Sequence, residues 1–413
     1  MNTLLKNVLH ESRQCDILIE GNKFKTIAAA NTIAAADAKV VDCTGLAVLP
    51  PFYNAHTHAA MTLLRGYADD MPLFKWLSEY IWPAEGKLTA EDIYVGARLA
   101  ILEMIRSGTV FFADMYWHRE QTARAANEMG IRANIGATIA ENLDTPAHID
   151  EHFQALKERR LVTDLVQVSV MPHAIYTCGD AMYRRCAEFA KSEGLILHTH
   201  LAETEGEVKD CLARSGKTPV KLLADLGVLG PNFVAAHCVH LTDEDVALLA
   251  ESGSSIVHNP CSNLKLASGI FPMEKLLKAG AHVALGTDGA SSNNNLDMHE
   301  EVKYAALLAK RENPENLPAG EALKIATRNG ALAYGIDAGE IAEGRLADCL
   351  LVDMNNERLI PNYHLVSNWV YSADSRSIKH VMCNGKFIME NGYVPGQEDI
   401  LEQAKFTAKK FMN

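Results

Sequence analysis

Residues 195–204 read LILHTHLAET. The run Leu195–His198 is continuously apolar up to its first histidine, the pattern of a strand covered on both faces. It passes into His198-Thr199-His200 and, three residues on, the carboxylate of Glu203. Seven further runs share this texture: Leu46–Leu49, Thr109–Ala113, Ala133–Ile139, Val166–Met171, Phe233–Ala236, Ser255–Val257 and His282–Leu285. Amphipathic stretches separate them, among them Ala90–Ser107, Arg119–Met129, Ala181–Glu193, Pro219–Leu226, Asp243–Ser252 and Met273–Ala279. Eight buried parallel strands alternating with helices over about 290 residues predict an α/β chain of the (β/α)8, or TIM, barrel type. A doubly wound sheet would carry a Gly-rich phosphate turn after its first strand, and none is present.

The two ends read differently. Asp16–Glu20 alternates, Gly21-Asn22 is a turn signal, and Phe24–Ala28 resumes the β pattern. After Gly335 come Asp348–Asp353, His380–Asn384 and Lys386–Met389, with turns at Asn384-Gly385 and Asn391-Gly392 and a last helix over Ile400–Phe411. Neither end has enough strands to bury a core alone. The expectation is one small β-sandwich domain from residues 1–48 plus 340–413, around a catalytic barrel at 49–339.

Composition narrows the function. The 413 residues carry 39 Lys and Arg against 52 Asp and Glu, a net charge of −13, which disfavours a nucleic-acid partner. Hydrophobic residues at 48% fit a large buried core. No apolar run nears the ~18 residues of a membrane span. The first fifteen residues have no apolar core of a signal peptide. Nine cysteines, an odd number without C-x-x-C spacing, suggest reduced thiols and a cytoplasmic protein.

In a barrel the chemistry sits where strands end. His56-Thr57-His58 follows the first run, and H-x-H on a strand turns two imidazoles to one side. The fifth run gives His198, His200 and Glu203, the sixth His237, and the eighth Asp288. Independent core histidines would not be expected to converge on one mouth, so these residues point to a metal site. His148 and His152, at helical i, i+4 spacing, could bind a metal too, but Asp150 and Glu151 between them suggest a solvated face. Trp76 and Trp82, in the long segment after the first strand, could stack on an aromatic base or simply pack a helical hairpin.

The pieces PFYNAHTH (51–58), HTHLAET (198–204), AHCVHL (236–241), HNPCSNLKL (258–266) and GTDGASSNNNLD (286–297) together resemble the amidohydrolase superfamily. They are most similar to its 5′-methylthioadenosine/S-adenosylhomocysteine deaminase branch. The resemblance implies that His56, His58, His200 and Asp288 bind one divalent metal, zinc or else iron. Glu203, His237 and Asp288 would be catalytic, with Glu85, His173 and Glu203 contacting substrate. His198 would sit deeper, in a structural role. Two-metal relatives carry a Lys at the end of strand four, where this chain has Met171-Pro172-His173, so one metal is expected. A water on such a metal would have its pKa lowered towards ~7 and would attack the purine as hydroxide. The implied reaction is hydrolytic deamination of adenine nucleosides (5′-methylthioadenosine, adenosine, 5′-deoxyadenosine, S-adenosylhomocysteine) to the inosine analogue and ammonia, by a homo-oligomer. A hydrolase of another N-heterocycle, such as a triazine, guanine, pterin or cytosine, would use the same site. A scaffold on an inactive barrel is disfavoured, because every ligand and acid/base position is filled. Relatives that take S-adenosylhomocysteine well hold its carboxylate with Arg near strand three. Here Ala133–Ile139 and Leu143–Glu151 contain no Arg, and Arg132 begins the strand, away from the mouth.

Overall fold

The computed structural model describes residues 2–34 and 37–411. Five strands open the chain: β1 (Asn2–His10), β2 (Arg13–Glu20), β3 (Lys23–Ala29), β4 (Ala38–Asp42) and β5 (Leu46–Leu49). Eight follow in the middle: β6 (Phe52–Thr57), β7 (Thr109–Asp114), β8 (Arg132–Ile139), β9 (Val166–Pro172), β10 (Leu197–Leu201), β11 (Phe233–His237), β12 (Ser255–His258) and β13 (His282–Leu285). The last three are β14 (Cys349–Asp353), β15 (Ile378–Cys383) and β16 (Lys386–Met389).

Strands β6 to β13 pair in sequential order, every adjacent pair parallel, with helices between them. This is the (β/α)8 barrel. Its first and last strands meet at the mouth. The Asp288 N–H donates to the His56 carbonyl at 3.1 Å, and Asn54 and Thr287 exchange two hydrogen bonds of 2.7 and 3.1 Å. Gly286 permits that closure, because a Cβ there would lie 2.8 Å from the His56 carbonyl oxygen.

One element departs from the expectation. Leu46–Leu49 is a strand, but it pairs antiparallel with β14 and belongs to the second sheet. The first barrel strand is β6, six fully buried residues reading FYNAHT. Its polar Asn54 and His56 serve the closure and the mouth, so it lacks the apolar signature of a core strand.

The second sheet joins both chain ends in the order β16-β15-β14-β5-β1-β2-β3, with β4 alongside β1. It is one mixed sheet around its own core, which draws Leu5, Ile17 and Phe24 from the N-terminal strands and Leu351 and Met382 from the C-terminal ones. β1 and β4, at Asn2–His10 and Ala38–Asp42, carry too many polar residues to stand out in the sequence.

Arg132 opens β8 on the side of the barrel facing this sheet. Its guanidinium donates to Asp348 at 3.1 and 3.4 Å, and the same carboxylate accepts from Tyr53 Oη at 2.6 Å. Asp348 is fully buried and Arg132 nearly so. Asp348→Ala leaves a buried guanidinium without its counter-charge, so we expect a loss of about 3–5 kcal/mol. The urea unfolding midpoint measures it; an unchanged midpoint would mean that water reaches Arg132.

Candidate active site

Four acceptor atoms meet at the mouth. His56 lies near the end of β6 and His58 one residue past it, His200 is on β10, and Asp288 follows β13. Asp288 Oδ1 lies 3.2 Å from His58 Nε2 and 3.5 Å from His56 Nε2, and His200 Nε2 lies 3.2 Å from His58 Nε2. All four residues are buried, with these atoms within 4.8 Å of one another.

The other ring nitrogens explain the orientation. His58 Nδ1–H donates to the Met115 carbonyl at 2.6 Å, and His200 Nδ1–H to the His173 carbonyl at 2.7 Å. His56 is held through a relay. Tyr334 Oη donates to the Ala55 carbonyl at 2.8 Å and so accepts from His198 Nδ1–H at 2.9 Å. His198 Nε2 then accepts from His56 Nδ1–H at 3.1 Å. Each of the three imidazoles therefore turns an Nε2 lone pair to the same point, with its tautomer fixed by its partner. His198 faces inward and takes no place among the four.

Electrostatics make the same demand. Burial pushes His56 down to about 4 and drives His200 and His198 well below the ordinary imidazole range. Burial also opposes charge on Asp288, yet the imidazoles of His56 and His58 that face it hold that carboxylate well below its usual value. Burial opposes charge on His58 too, and there Asp288 outweighs it and lifts the group to about 9, so a proton competes with a cation for the His58 Nε2 lone pair. Three lone pairs facing a buried carboxylate call for positive charge between them. Three imidazoles and one carboxylate are a donor set that fits a divalent cation. Asp288 Oδ2 is tied to Ser262 at 2.6 Å and Ser292 at 2.8 Å, which leaves Oδ1 to face the imidazoles.

Around this point stand the remaining expected residues. Glu203 is buried, and burial raises its carboxyl despite the nearby His237. Its Oε1 accepts from Ser268 at 3.2 Å and lies 3.9 Å from His237 Nδ1. Glu207, on the next helix (Glu205–Ser215), accepts the N–H groups of Ala202 and Glu203 at 2.9 and 2.8 Å. His237 Nδ1–H donates to Asn263 Oδ1 at 2.8 Å, so its Nε2 is the free acceptor. His173 Nδ1–H donates to Thr177 Oγ1 at 3.1 Å, and burial pushes that imidazole down to about 3. Glu85 is half-buried, with a buried Oε1 that has no hydrogen-bond partner; burial raises its pKa.

Backbone strain gathers here. Ala202, His237, Cys238 and Asp288 have φ of 50°, 72°, 48° and 60°, a region non-glycine residues rarely adopt. All four lie at or just past the C-terminal ends of β10, β11 and β13, where strain persists only if the surroundings enforce it.

His58, His200, Asp288, Glu203, His237, His173 and Glu85 line one cavity. Trp76 and Trp82 form part of its wall, while Phe74 and Tyr80 of the same segment are 40% and 37% exposed and lie outside it.

The amidohydrolase family profile matches residues 47–388. The chain belongs to the amidohydrolase family. It is 43% identical to the 5′-deoxyadenosine deaminase of Methanothermobacter thermautotrophicus, over 96% of this chain and 94% of that protein. It is 49% identical to the 5-methylthioadenosine/S-adenosylhomocysteine deaminase of Moorella thermoacetica, over 86% of this chain and 84% of that protein. Among solved structures, an adenosine deaminase from Xanthomonas campestris with bound zinc superposes with a TM-score of 0.93, 33% identity, and coverage of 96% of this chain and 94% of that one.

Several side chains of this amidohydrolase site escaped the sequence reading. Tyr116 and Trp117 line the cavity just past β7, where the strand-end rule would have found them. Ser262, Asn263 and Ser292 lie inside the quoted motifs, but only the fold shows what they hold. Tyr334 is far from any motif and carries no sequence signal.

Tyr334→Phe removes the hydroxyl that fixes the His198 and His56 tautomers. Divalent-metal affinity, measured by competition with a chelator, should fall about 10- to 100-fold. An unchanged affinity would mean that His198 orients His56 without help.

Proposed function

We propose that this amidohydrolase deaminates adenine nucleosides carrying varied 5′ groups, releasing ammonia and the inosine analogue. The observation that carries the reading is the meeting of His56, His58, His200 and Asp288 at the barrel mouth, beside the cavity that Glu203 and His237 line. The names of the three relatives given above, each an adenosine-type deaminase, support it. A divalent cation held by those four residues, zinc in this reading, supplies Lewis-acid activation of a water molecule. Nine free cysteines fit a reducing, cytoplasmic setting. Among the described residues no helix is long and apolar enough to cross a membrane.

The chain's own groups divide the remaining work. Asp288 Oδ1, its partner oxygen anchored by two serines, accepts a proton from the attacking water. His237 Nε2, with Nδ1–H committed to Asn263, orients that water against the ring carbon and steadies the charge that develops. Glu203 is kept towards its protonated form by burial. It gives its proton to a ring nitrogen, carries the remaining proton of the added hydroxyl to the departing amine as the C–N bond breaks and the carbonyl forms, and is reprotonated from Asp288. Trp76, Trp82, Tyr116 and Trp117 offer apolar wall to the purine. Glu85 Oε1 is an open acceptor for the ribose hydroxyls, and His173 Nε2 faces the substrate.

Glu203→Gln keeps the shape and the Ser268 contact but cannot deliver a proton. Metal content should be retained and kcat should fall about 10²–10⁴-fold. Loss of the metal would make Glu203 a ligand and overturn the assignment.

The 5′ group is the finer question. Among the described residues lining the cavity none is Lys or Arg, and Arg132 is committed to Asp348. The adjoining loop instead carries Glu141 and Asp144. A substrate carboxylate would find no fork-shaped partner. One such contact is worth roughly 1.5–3 kcal/mol. Adenosine, 5′-deoxyadenosine and 5′-methylthioadenosine should therefore exceed S-adenosylhomocysteine in kcat/KM by at least about tenfold. Equal efficiency in side-by-side kinetics would sink this preference.

A further inference from the structure

We infer a second divalent-cation site, formed by Asp144, His148 and His152 on the barrel rim, outside the catalytic cavity. Asp144 immediately precedes Thr145, the N-cap of the helix Pro146–Lys157. His148 and His152 lie one turn apart on that helix, so their imidazoles rise on the same face above Asp144. His148 Nδ1–H and Thr145 N–H both donate to Asp144 Oδ1 at 2.7 Å, which leaves Asp144 Oδ2 free, and His152 Nε2 lies 3.6 Å from that Oδ2. One donor atom from each residue falls within 4.8 Å of the others.

Burial separates this cluster from an ordinary solvated face. The Asp144 side chain is only 9% exposed and that of His152 13% exposed. Asp144 Oδ2 and His152 Nε2 are both buried without a hydrogen-bond partner. Two such orphans, one a carboxylate oxygen and one an imidazole nitrogen, are costly unless something between them satisfies both. Of the neighbouring cations, Arg160 pairs with Glu158 at 2.5 Å, while Arg119 reaches Glu120 through Nε at 3.4 Å and keeps a buried Nη1 without a hydrogen-bond partner. Burial first, then Arg119 and His148, push the His152 imidazole down to about 4, so its lone pair is free at neutral pH. His148 is about half exposed, which opens the site to solvent.

Two imidazoles and one carboxylate suit borderline divalent ions such as zinc, cobalt or nickel, with a coordination position left for water. Leu143, next to Asp144, lines the catalytic cavity. A cation here therefore pins one wall of that cavity to the helix behind it.

The test counts metal on the zinc-loaded protein after loosely held ions are removed. Equilibrium dialysis against micromolar zinc chloride, with elemental analysis, should find a second equivalent per chain. His148→Ala and His152→Ala should lose that second equivalent and keep the tight one, which also reports that they are folded. His200→Ala should do the reverse, losing the tight equivalent and keeping the rim one. The inference is overturned if the wild type saturates at one equivalent, or if the second equivalent survives in both helix variants.

Discussion

Three imidazole lone pairs and a carboxylate oxygen, buried and held a few ångströms apart, set the terms for the rest of the mouth. Such groups repel or go unsatisfied unless positive charge lies between them. The arrangement persists because each group is gripped from behind. Carbonyls at Met115 and His173 fix His58 and His200, the Tyr334–His198 relay fixes His56, and two serines fix Asp288. The barrel supplies these grips from several strands at once, so no single segment could build the site.

The strained backbone follows from the same demand. A strand leaving the barrel would ordinarily carry its side chains outward with its twist. The left-handed turns at Ala202, His237 and Asp288 redirect the chain so that Glu203, His237 and Asp288 face one centre. Hydrogen bonds hold those turns in place. Glu207 clamps the N–H groups of Ala202 and Glu203, and Asp288 N–H is tied to His56 across the barrel closure.

Much of this was legible in the residues. Seven of the eight barrel strands appear as apolar runs, because parallel strands are covered on both faces and leave no alternation. The histidines and carboxylates at their ends stand out because such groups are otherwise rare in cores. Legibility failed where the two rules collide. β6 is a barrel strand whose own positions hold Asn54 and His56, so its apolar signal is spent on the site, and Leu46–Leu49 next door looked the better strand. Pairing partners were equally out of reach. Nothing in the sequence ties Tyr334 to His198, 136 residues apart, or Arg132 to Asp348, 216 residues apart. Those contacts arise only once the barrel closes.

The rim histidines show the same limit from the other side. By spacing, His148 and His152 are two polar positions on a helix whose apolar face, Ile149, Phe153 and Leu156, packs inward. The two charged residues between them favour solvent. The loop before the helix changes that reading, since it folds Asp144 under the imidazoles and shields its carboxylate. A residue's surroundings thus decide between a surface and a site, and in this fold those surroundings come from the segment that leaves each strand. The same rule that places Glu203 after β10 and Asp288 after β13 places Asp144 after β8.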